Sequence, residues 1–353
     1  MSRSFVYEGL PSRVVFGVGS LEKLGAQLDR LGLKRALVLA TPHQRAQAAE
    51  IAQRLGERAV GINDQAVMHV PIEVARAGEA AAREAGADCT VAIGGGSTIG
   101  LGKAIALSIG LPVIAVPTTF AGSEMTPIWG LTEGSVKRTG RDLKVLPRLV
   151  VYDPLLTLTL PAKIAGPSGL NAIAHCVEAL YAENANPIVS LMAEEGIRAL
   201  AASLPVVVAK GDDVEARSEA LYGAWLAGAS LGMVGMALHH KLCHTLGGSF
   251  NLPHAETHGI VLPYAAAYNR DAAAEAMARV RRALGGVEDA VRGLYDLGRK
   301  VGAPKALAEI GMKEGDLDRA AELATQNPYF NPRPVTREGV RALLEDAFAG
   351  RRP

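Results

Sequence analysis

The chain has 353 residues, of which 49% are apolar and 21% charged, a balance that is typical of globular proteins and excludes a disordered or fibrous chain. At roughly 150 residues per domain, this length predicts about two domains. Lys and Arg number 37 against 36 Asp and Glu, so the net charge of +1 gives no field that would attract nucleic acid or an anionic membrane.

Up to about Pro154, short apolar runs rich in β-branched residues alternate with helical patterns. The predicted strands are Val14–Gly17, Ala36–Ala40, Ala59–Ile62, Cys89–Ile93, Val113–Val116 and Leu149–Tyr152. The predicted helices between them include Gln44–Leu55, Ile72–Glu84 and Thr98–Ser108. Apolar strands that alternate with helices predict a Rossmann-like parallel sheet covered on both faces.

After Pro154 the strand signal nearly vanishes and Ala-rich helical patterns follow. They predict helices at Gly169–Ala182, Ile188–Ser203, Val214–Leu231, Ala237–Gly247, Ala272–Leu284 and Val287–Val301. Phe330–Pro334 predicts a loop before a final helix. The change in pattern predicts an α/β domain over residues 1–157 and an all-helical domain over residues 158–353.

Cysteine content and targeting signals favour a cytoplasmic protein. Three scattered cysteines are too few for a disulfide framework, and there is no C-x-x-C pair. The first ten residues lack the apolar core of a secretion signal. The most apolar stretch, Ala104–Val116, is short and contains Pro112, so it predicts a buried helix end and strand rather than a membrane span.

A glycine-rich loop follows the predicted strand Cys89–Ile93, with the sequence Gly94-Gly95-Gly96-Ser97-Thr98. Small residues let a diphosphate approach the backbone, and a helix that starts here offers free N–H groups and a positive dipole end. The loop therefore predicts a phosphate site, and we expect Lys103, farther along the helix, to reach a phosphate. A tight strand–helix turn without a ligand is the alternative for the loop taken alone.

A second loop, which contains Thr118, Thr119 and Ser123, follows the strand Val113–Val116. Ligands bind at the carboxyl ends of strands in open α/β sheets, so these hydroxyls are candidates to contact a ribose, a phosphate or a nicotinamide amide. Helix capping is the alternative for Ser123. Thr41 ends an earlier strand without a nearby acidic residue to select a ribose 2′-hydroxyl, so the cofactor is either NADH or NADPH.

Histidines concentrate in the second domain. His240 and His244 are four residues apart and share one face of a predicted helix, and Asn171 and His175 have the same spacing on an earlier helix. His254 follows shortly afterwards. A single helical histidine is usually structural, but burying several imidazoles without partners is costly. The pattern therefore predicts a cavity lined by these five side chains.

The remaining polar residues of this region have structural interpretations. We expect His239 to point away from the His240 face and His258 to cap or pack. Cys243 is expected to face the core. For Glu178, helix capping and a catalytic role are both open.

The histidines also raise the question of a metal, since three imidazoles and a carboxylate can bind zinc or iron(II). The fourth side chain here is Asn171, a neutral amide and a poor ligand. Three neutral imidazoles would leave the charge of the ion uncompensated in a buried site. The sequence therefore predicts no tightly bound metal.

The order of these motifs resembles the iron-containing (group III) alcohol dehydrogenase superfamily over nearly the whole chain. The matching segments are Gly94-Gly95-Gly96-Ser97, the 117–124 loop, Asn171-x-x-x-His175-x-x-Glu178 and His240-x-x-x-His244-x-x-Gly247…Pro253-His254. The resemblance implies a dehydroquinate synthase-like architecture, with a dinucleotide-binding α/β domain, a helical domain and an active site in the cleft between them.

Departures from the superfamily pattern resemble one branch, the maleylacetate reductases. The superfamily places an Asp and three His around its metal, and the corresponding positions here are Asn171, His175, His240 and His254. The branch implies reduction of maleylacetate to 3-oxoadipate by NADH or NADPH in the degradation of aromatic compounds. The superfamily's non-ligand histidine corresponds to His244, which implies a proton donor there.

The resemblance also implies a homodimer, joined through an N-terminal strand such as Phe5–Glu8, and a dicarboxylate as the small-molecule partner. The chemistry agrees, because hydride addition to a conjugated ketone creates an enolate, which is a weaker base than an alkoxide and needs no metal if hydrogen-bond donors hold it. Three alternatives stay open: a metal-dependent alcohol or polyol dehydrogenase, a lyase similar to dehydroquinate synthase, and a nucleotide sensor without catalysis.

Overall fold

A computed structural model describes residues 5–134 and 136–353 of the chain. Its contacts divide it into two compact units. The first comprises Leu10–Thr159, and the second comprises Leu160–Pro353 together with the described residues that precede Leu10.

The first unit is built on a parallel sheet of six strands. In chain order the strands of this sheet are β1 (Arg13–Phe16), β2 (Ala36–Leu39), β3 (Ala59–Asn63), β4 (Cys89–Gly94), β5 (Val113–Pro117) and β8 (Leu149–Tyr152). Their spatial order is β1-β8-β5-β4-β2-β3, and every neighbouring pair is parallel. The predicted α/β class is confirmed, because strands β2, β4, β5 and β8 are buried throughout and read as continuous apolar runs.

Four helices accompany the sheet: α1 (Leu24–Arg30), α2 (Arg45–Leu55), α3 (Ile72–Glu84) and α4 (Gly96–Ile109). Helix α4 starts two residues earlier than predicted, directly within the glycine run. An antiparallel hairpin of β6 (Ile128–Glu133) and β7 (Val136–Arg141) was not predicted. The described part of β6 is only half-buried or exposed, and the β7 sequence is mostly polar, so neither strand carries the apolar signal used for the sheet.

The second unit is helical throughout its described residues. Its helices are α5 (Ala162–Leu180), α6 (Pro187–Ala209), α7 (Val214–Met233), α8 (Leu238–Phe250), α9 (His254–Asn269), α10 (Ala274–Ala283), α11 (Ala290–Lys300), α12 (Leu317–Thr325) and α13 (Arg337–Ala349). The final helix after the 330–334 loop is confirmed as α13. Helix α9 was not predicted because it is buried on nearly all sides and contains Pro263, so its sequence shows no amphipathic stripe.

Helix α5 lies at the centre of this unit, and every residue from Ala165 to Leu180 is buried. Its glycines permit close packing: a Cβ at Gly166 would overlap the carbonyl oxygen of Val301, and one at Gly169 would overlap the side chain of Leu204. A second part of the core lies between α8, α9, α12 and α13. These packed helices fix the positions of the polar side chains that they carry.

Residues 5–8 have no regular secondary structure in the single chain, so the strand expected there is not present in this structure. Its use in pairing two copies stays a prediction. Within the described residues, no single helix has the length and apolarity to cross a membrane, and only the bent pair α7 and α8 meets that criterion when combined.

Candidate active site

Six of the eight histidines form one continuous cluster in the helical unit. Helix α5 contributes one, and α8 and α9 contribute the others, with ring centroids of contacting pairs 4.3 to 6.3 Å apart. The members are His175, His239, His240, His244, His254 and His258. The predicted cavity histidines are therefore in one place.

His239 corrects the sequence analysis, and His258, which was expected to cap or pack, packs within the cluster. His239 does not point away from the cluster, since its ring lies 5.3 Å from that of His240 and its Nε2 lies 2.9 Å from Nδ1 of His258. His258 is fully buried and lies 4.3 Å from the ring of His254. Helical spacing places His239 and His240 on different faces of α8. It does not show that His258 of α9 packs against the His239 face, which makes that face polar as well.

Helix α5 carries Asn171 and His175, four residues apart and both buried. The ring of His175 stacks on that of His240, with centroids 5.2 Å apart. Helix α8 carries His240 and the half-buried His244, whose rings are 6.2 Å apart. His254 is also half-buried and is the first residue of α9. The spacing-based prediction that the histidine pairs converge agrees with this arrangement.

Glu178, one turn beyond His175, connects α5 to the start of α8. Its carboxylate accepts hydrogen bonds from the backbone N–H groups of Ala237 at 2.9 Å and His239 at 2.7 Å. It also lies 2.6 Å from Nδ1 of His240. Glu178 therefore caps α8 and contacts a ring of the cluster, so both interpretations left open by the sequence have a geometric basis.

The ionisation of Glu178 determines the tautomer of His240. Burial raises the pKa of this carboxyl, but the neighbouring His240 and the hydrogen bonds from His240 and Ala237 outweigh burial, and the pKa lies below its usual value. An ionised carboxylate only accepts hydrogen bonds, so Nδ1 of His240 carries the proton. Nε2 of His240 is the nitrogen left for the rest of the cluster.

The deeper histidines are neutral at pH 7. Burial lowers the pKa of His239 to about 3. Burial and, secondarily, the neighbouring imidazoles lower the pKa of His175 and His258 well below the ordinary value. These rings can donate hydrogen bonds through N–H groups, but they add less positive potential than a cluster of imidazolium ions would.

The side chains at the superfamily's metal positions carry less compensating charge than the superfamily's own ligands. Position 171 supplies a neutral amide in place of the carboxylate. In the described part of the chain, one group of His, Cys or carboxylate side chains has three ligand atoms within 4.8 Å of one another. That group is His239, Cys243 and His258, none of which occupies a superfamily metal position.

The glycine loop lies at the carboxyl end of β4, beside β5, with Gly94 opposite Pro117. Gly94 has a φ of 148°, which favours glycine, and a Cβ there would lie 2.7 Å from Oε1 of Gln44. Gly95 precedes the first residue of α4, and a Cβ on it would lie 2.8 Å from Cγ2 of Thr119. The two predicted loops are therefore adjacent. Helix α4, with its first backbone N–H groups, begins within the glycine loop.

The predicted cofactor residues differ in exposure. Gly96 is exposed and Ser97, Thr119 and Ser123 are half-buried, whereas Thr98 is fully buried below the loop. We therefore place Thr98 in the support of the loop rather than on its surface.

Gln44, which the sequence analysis missed, connects two of the predicted residues. Its Oε1 accepts a hydrogen bond from Thr41 at 3.1 Å, and its Nε2 donates to the Thr118 hydroxyl at 3.0 Å. Only the proximity of strand ends β2 and β5 to β4 reveals this role, and sequence spacing does not.

Lys103 does not reach a phosphate site, and that prediction is wrong. The rise from residue 96 to residue 103 is about 10 Å at 1.5 Å per residue, which carries the side chain away from the helix start. Its Nζ is buried and donates to the carbonyl oxygens of Ser123 at 2.6 Å, Thr126 at 2.8 Å and Ile128 at 2.9 Å. Burial lowers the pKa of Lys103 to about 7, although Glu124 opposes this effect. Through these hydrogen bonds, Lys103 holds in position the segment that follows the second loop.

Comparisons with known proteins identify the family of the chain. Residues 11–154 match the family profile described as iron-containing alcohol dehydrogenase, and residues 166–348 match the C-terminal profile of the same family. The chain belongs to the iron-containing alcohol dehydrogenase family. This assignment confirms the superfamily resemblance and the α/β plus all-helical fold class.

Similarity to individual proteins extends over nearly the full length. The chain is 58% identical over 350 residues to a maleylacetate reductase of Burkholderia cepacia, covering 99% of each chain. It is 58% identical over 349 residues to a maleylacetate reductase of Sphingobium indicum, again covering 99% of each chain. The crystal structure of maleylacetate reductase from Agrobacterium tumefaciens is 53% identical, covers 100% of each chain and superimposes with a TM-score of 0.95.

Proposed function

We propose that the protein reduces the carbon–carbon double bond of maleylacetate to give 3-oxoadipate, with NADH or NADPH as the hydride donor, in the degradation of aromatic compounds. The similarity over 99% of both chains to proteins named maleylacetate reductase carries this proposal. The donor-rich histidine cluster, with an amide where the family has a carboxylate, is consistent with it.

The glycine loop and its neighbour are the proposed dinucleotide site. The start of α4 offers unpaired backbone N–H groups and the positive end of the helix dipole to the diphosphate. Gly95, Gly96 and Ser97 would contact the phosphates, and Thr119 and Ser123 would contact the ribose or nicotinamide. Gln44 and Lys103 act as supports that hold these two loops in position.

The reaction is a hydride addition followed by a protonation. A bound reduced nicotinamide would supply a hydride, with its electron pair, to the alkene carbon beta to the ketone and would leave as NAD(P)⁺. The π electrons of the substrate would move to the ketone oxygen, which would become an enolate. A proton then adds to the carbon next to the ketone, which completes the saturated product.

The histidine cluster is proposed to stabilise the enolate and supply the proton. N–H groups of Asn171, His175 and His254 would hold substrate oxygens, where neutral donors suffice because an enolate is a weak base compared with an alkoxide. His240, whose proton lies on Nδ1 toward Glu178, would line the site with Nε2 as an acceptor. His244 is the proposed proton donor. Glu178 is a positioning residue, since it sets the tautomer and orientation of His240.

We propose further that turnover needs no tightly bound metal. Asn171 brings no charge to compensate a divalent cation, and the side chains at the superfamily's metal positions are not grouped closely enough to share one. No step above depends on a Lewis acid.

One assay tests the proposed function. Reduced nicotinamide absorbs in the near ultraviolet, and we expect its absorbance to fall when the protein and maleylacetate are mixed with NADH or, in a parallel assay, with NADPH. The rate should be the same after treatment with a strong chelator, and ethanol or glycerol should not be oxidised with NAD⁺. Absence of maleylacetate turnover would refute the reductase. A chelator-sensitive rate restored by one metal would refute metal independence and favour the alternative, a metal-dependent alcohol or polyol dehydrogenase.

The setting of the enzyme follows from the same proposal. A cytoplasmic location is consistent with three free, buried cysteines. A homodimer, a dicarboxylate substrate, and the absence of membrane and nucleic-acid partners remain predictions. Sedimentation of the purified protein checks the first of these.

A further inference from the structure

We propose that His239, Cys243 and His258 form a binding site for a soft monovalent metal cation, with Cu(I) and Ag(I) as its chemical type. This group, called the thiol–histidine site below, shares no residue with the four superfamily metal positions. The inference does not rest on the proposed reductase function.

The donor atoms are already close to the arrangement that an ion requires. His239 and Cys243 are one turn apart on α8, and Nε2 of His239 lies 3.6 Å from Sγ of Cys243. With metal bonds of about 2.0 Å to nitrogen and about 2.3 Å to sulfur, two donors of a trigonal site lie roughly 3.5–3.7 Å apart. The sulfur–nitrogen pair has that separation. The hydrogen-bonded pair of His239 Nε2 and His258 Nδ1, at 2.9 Å, has to open by about half an ångström.

Charge favours a monovalent ion at this position. All three side chains are at most 1% exposed, so any uncompensated charge would be costly. Both imidazoles are neutral and present unprotonated nitrogen after a simple change of tautomer. A thiolate and a monovalent cation together are neutral, whereas a divalent ion would leave one positive charge buried. Thiolate and imidazole donors also match the preference of Cu(I).

Burial raises the pKa of the Cys243 thiol well above its ordinary value, so the thiol keeps its proton until a cation displaces it. Binding is therefore expected to release one proton for each ion bound. The ring of the half-buried His254 lies 4.3 Å from that of His258 and offers a first donor on the way inward.

The first experiment measures stoichiometry with Ag(I), which is not redox-active here. The chain has three cysteines, so C89A/C176A retains Cys243 as its only thiol. In thiol-free buffer, native mass spectrometry should show one Ag(I) per chain for the wild type and for C89A/C176A, and none for C243S. Equal binding by C243S, loss of binding in C89A/C176A, or no binding by the folded wild type would each overturn the site.

The second experiment identifies the ligands. X-ray absorption at the copper edge of Cu(I)-loaded C89A/C176A should show one sulfur and two nitrogen donors. Coordination by sulfur alone, which would indicate thiols of two chains, overturns the proposal. If C243S does not fold, H258N serves in its place, with at least about tenfold weaker binding expected from the loss of one of three donors. Unchanged affinity of folded H258N also counts against the site.

Discussion

The glycine loop and the histidine cluster differ in what their sequences contribute. At the loop, small residues contribute by leaving room, and the proposed ligand contacts are mostly backbone N–H groups. At the cluster, large polar side chains from α5, α8 and α9 fill the space, and their neighbours set their protonation. A cofactor common to many enzymes can be bound by backbone geometry, whereas a particular reaction depends on the chemistry of individual side chains.

The largest expected effect is at the cluster. His244→Ala removes the proposed proton donor, and kcat should fall by about 10²- to 10⁴-fold with little change in KM for NADH. Steady-state kinetics with maleylacetate measures this change. Thr245→Ala is the control, because this neighbouring hydroxyl donates only to the carbonyl of Lys241 within the same helix. If the His244→Ala enzyme keeps its activity, another side chain donates the proton.

Glu178→Gln should have the next largest effect. The amide has a single oxygen to accept the three hydrogen bonds that the carboxylate now receives, and its NH₂ group would face a donor. We expect kcat to fall by about 10- to 100-fold and the free energy of unfolding to fall by about 1–3 kcal/mol. The exposed Glu183→Gln is the matched control. If kcat is unchanged and only the stability falls, Glu178 caps α8 and has no role in positioning His240 for catalysis.

At the glycine loop, Gly→Ala substitutions distinguish an effect on stability from an effect on cofactor binding. A Cβ at Gly96 meets no atom within 4 Å in the protein alone, so Gly96→Ala should leave the melting temperature unchanged. If the diphosphate lies over Gly96, KM for NADH should rise about tenfold, equivalent to about 1.4 kcal/mol of binding. Gly95→Ala, whose Cβ would crowd Thr119, should lower the melting temperature as well. An unchanged KM for Gly96→Ala would place the dinucleotide elsewhere.

The last expected effect is on the pH dependence of stability, not on turnover. Unfolded His239 takes up a proton below about pH 6.5, whereas the folded ring stays neutral to about pH 3. The unfolded state binds more protons in this window, so the free energy of unfolding decreases as the pH falls from 6.5 toward 3, by up to about 1.4 kcal/mol per pH unit. His239→Asn should reduce this slope in denaturant titrations, and the exposed His43→Asn should not. Equal slopes in all three proteins would contradict the neutral buried ring.

Sequence patterns predicted the six strands of the sheet because buried parallel strands are continuous apolar runs. They predicted the glycine loop because a run of glycines marks the end of a strand. They missed the β6–β7 hairpin, in which β6 is half-buried or exposed and β7 is mostly polar, and α9, which is buried on nearly all sides. The positions of His240 and His244 followed from helical spacing. The contacts of Lys103, Gln44 and His258 did not, because each depends on which element packs opposite, and that is a property of the tertiary fold.

The packing of α5 has a consequence for motion. Since the glycines on this helix bring it against the backbone of Val301 and the side chain of Leu204, it has no room to slide or tilt. Its amide protons should exchange with solvent only when the whole helical unit opens, and so be among the slowest in the chain. Adaptation of this enzyme to cold or heat would then have to come from its periphery, while the helix that carries Asn171 and His175 stays fixed.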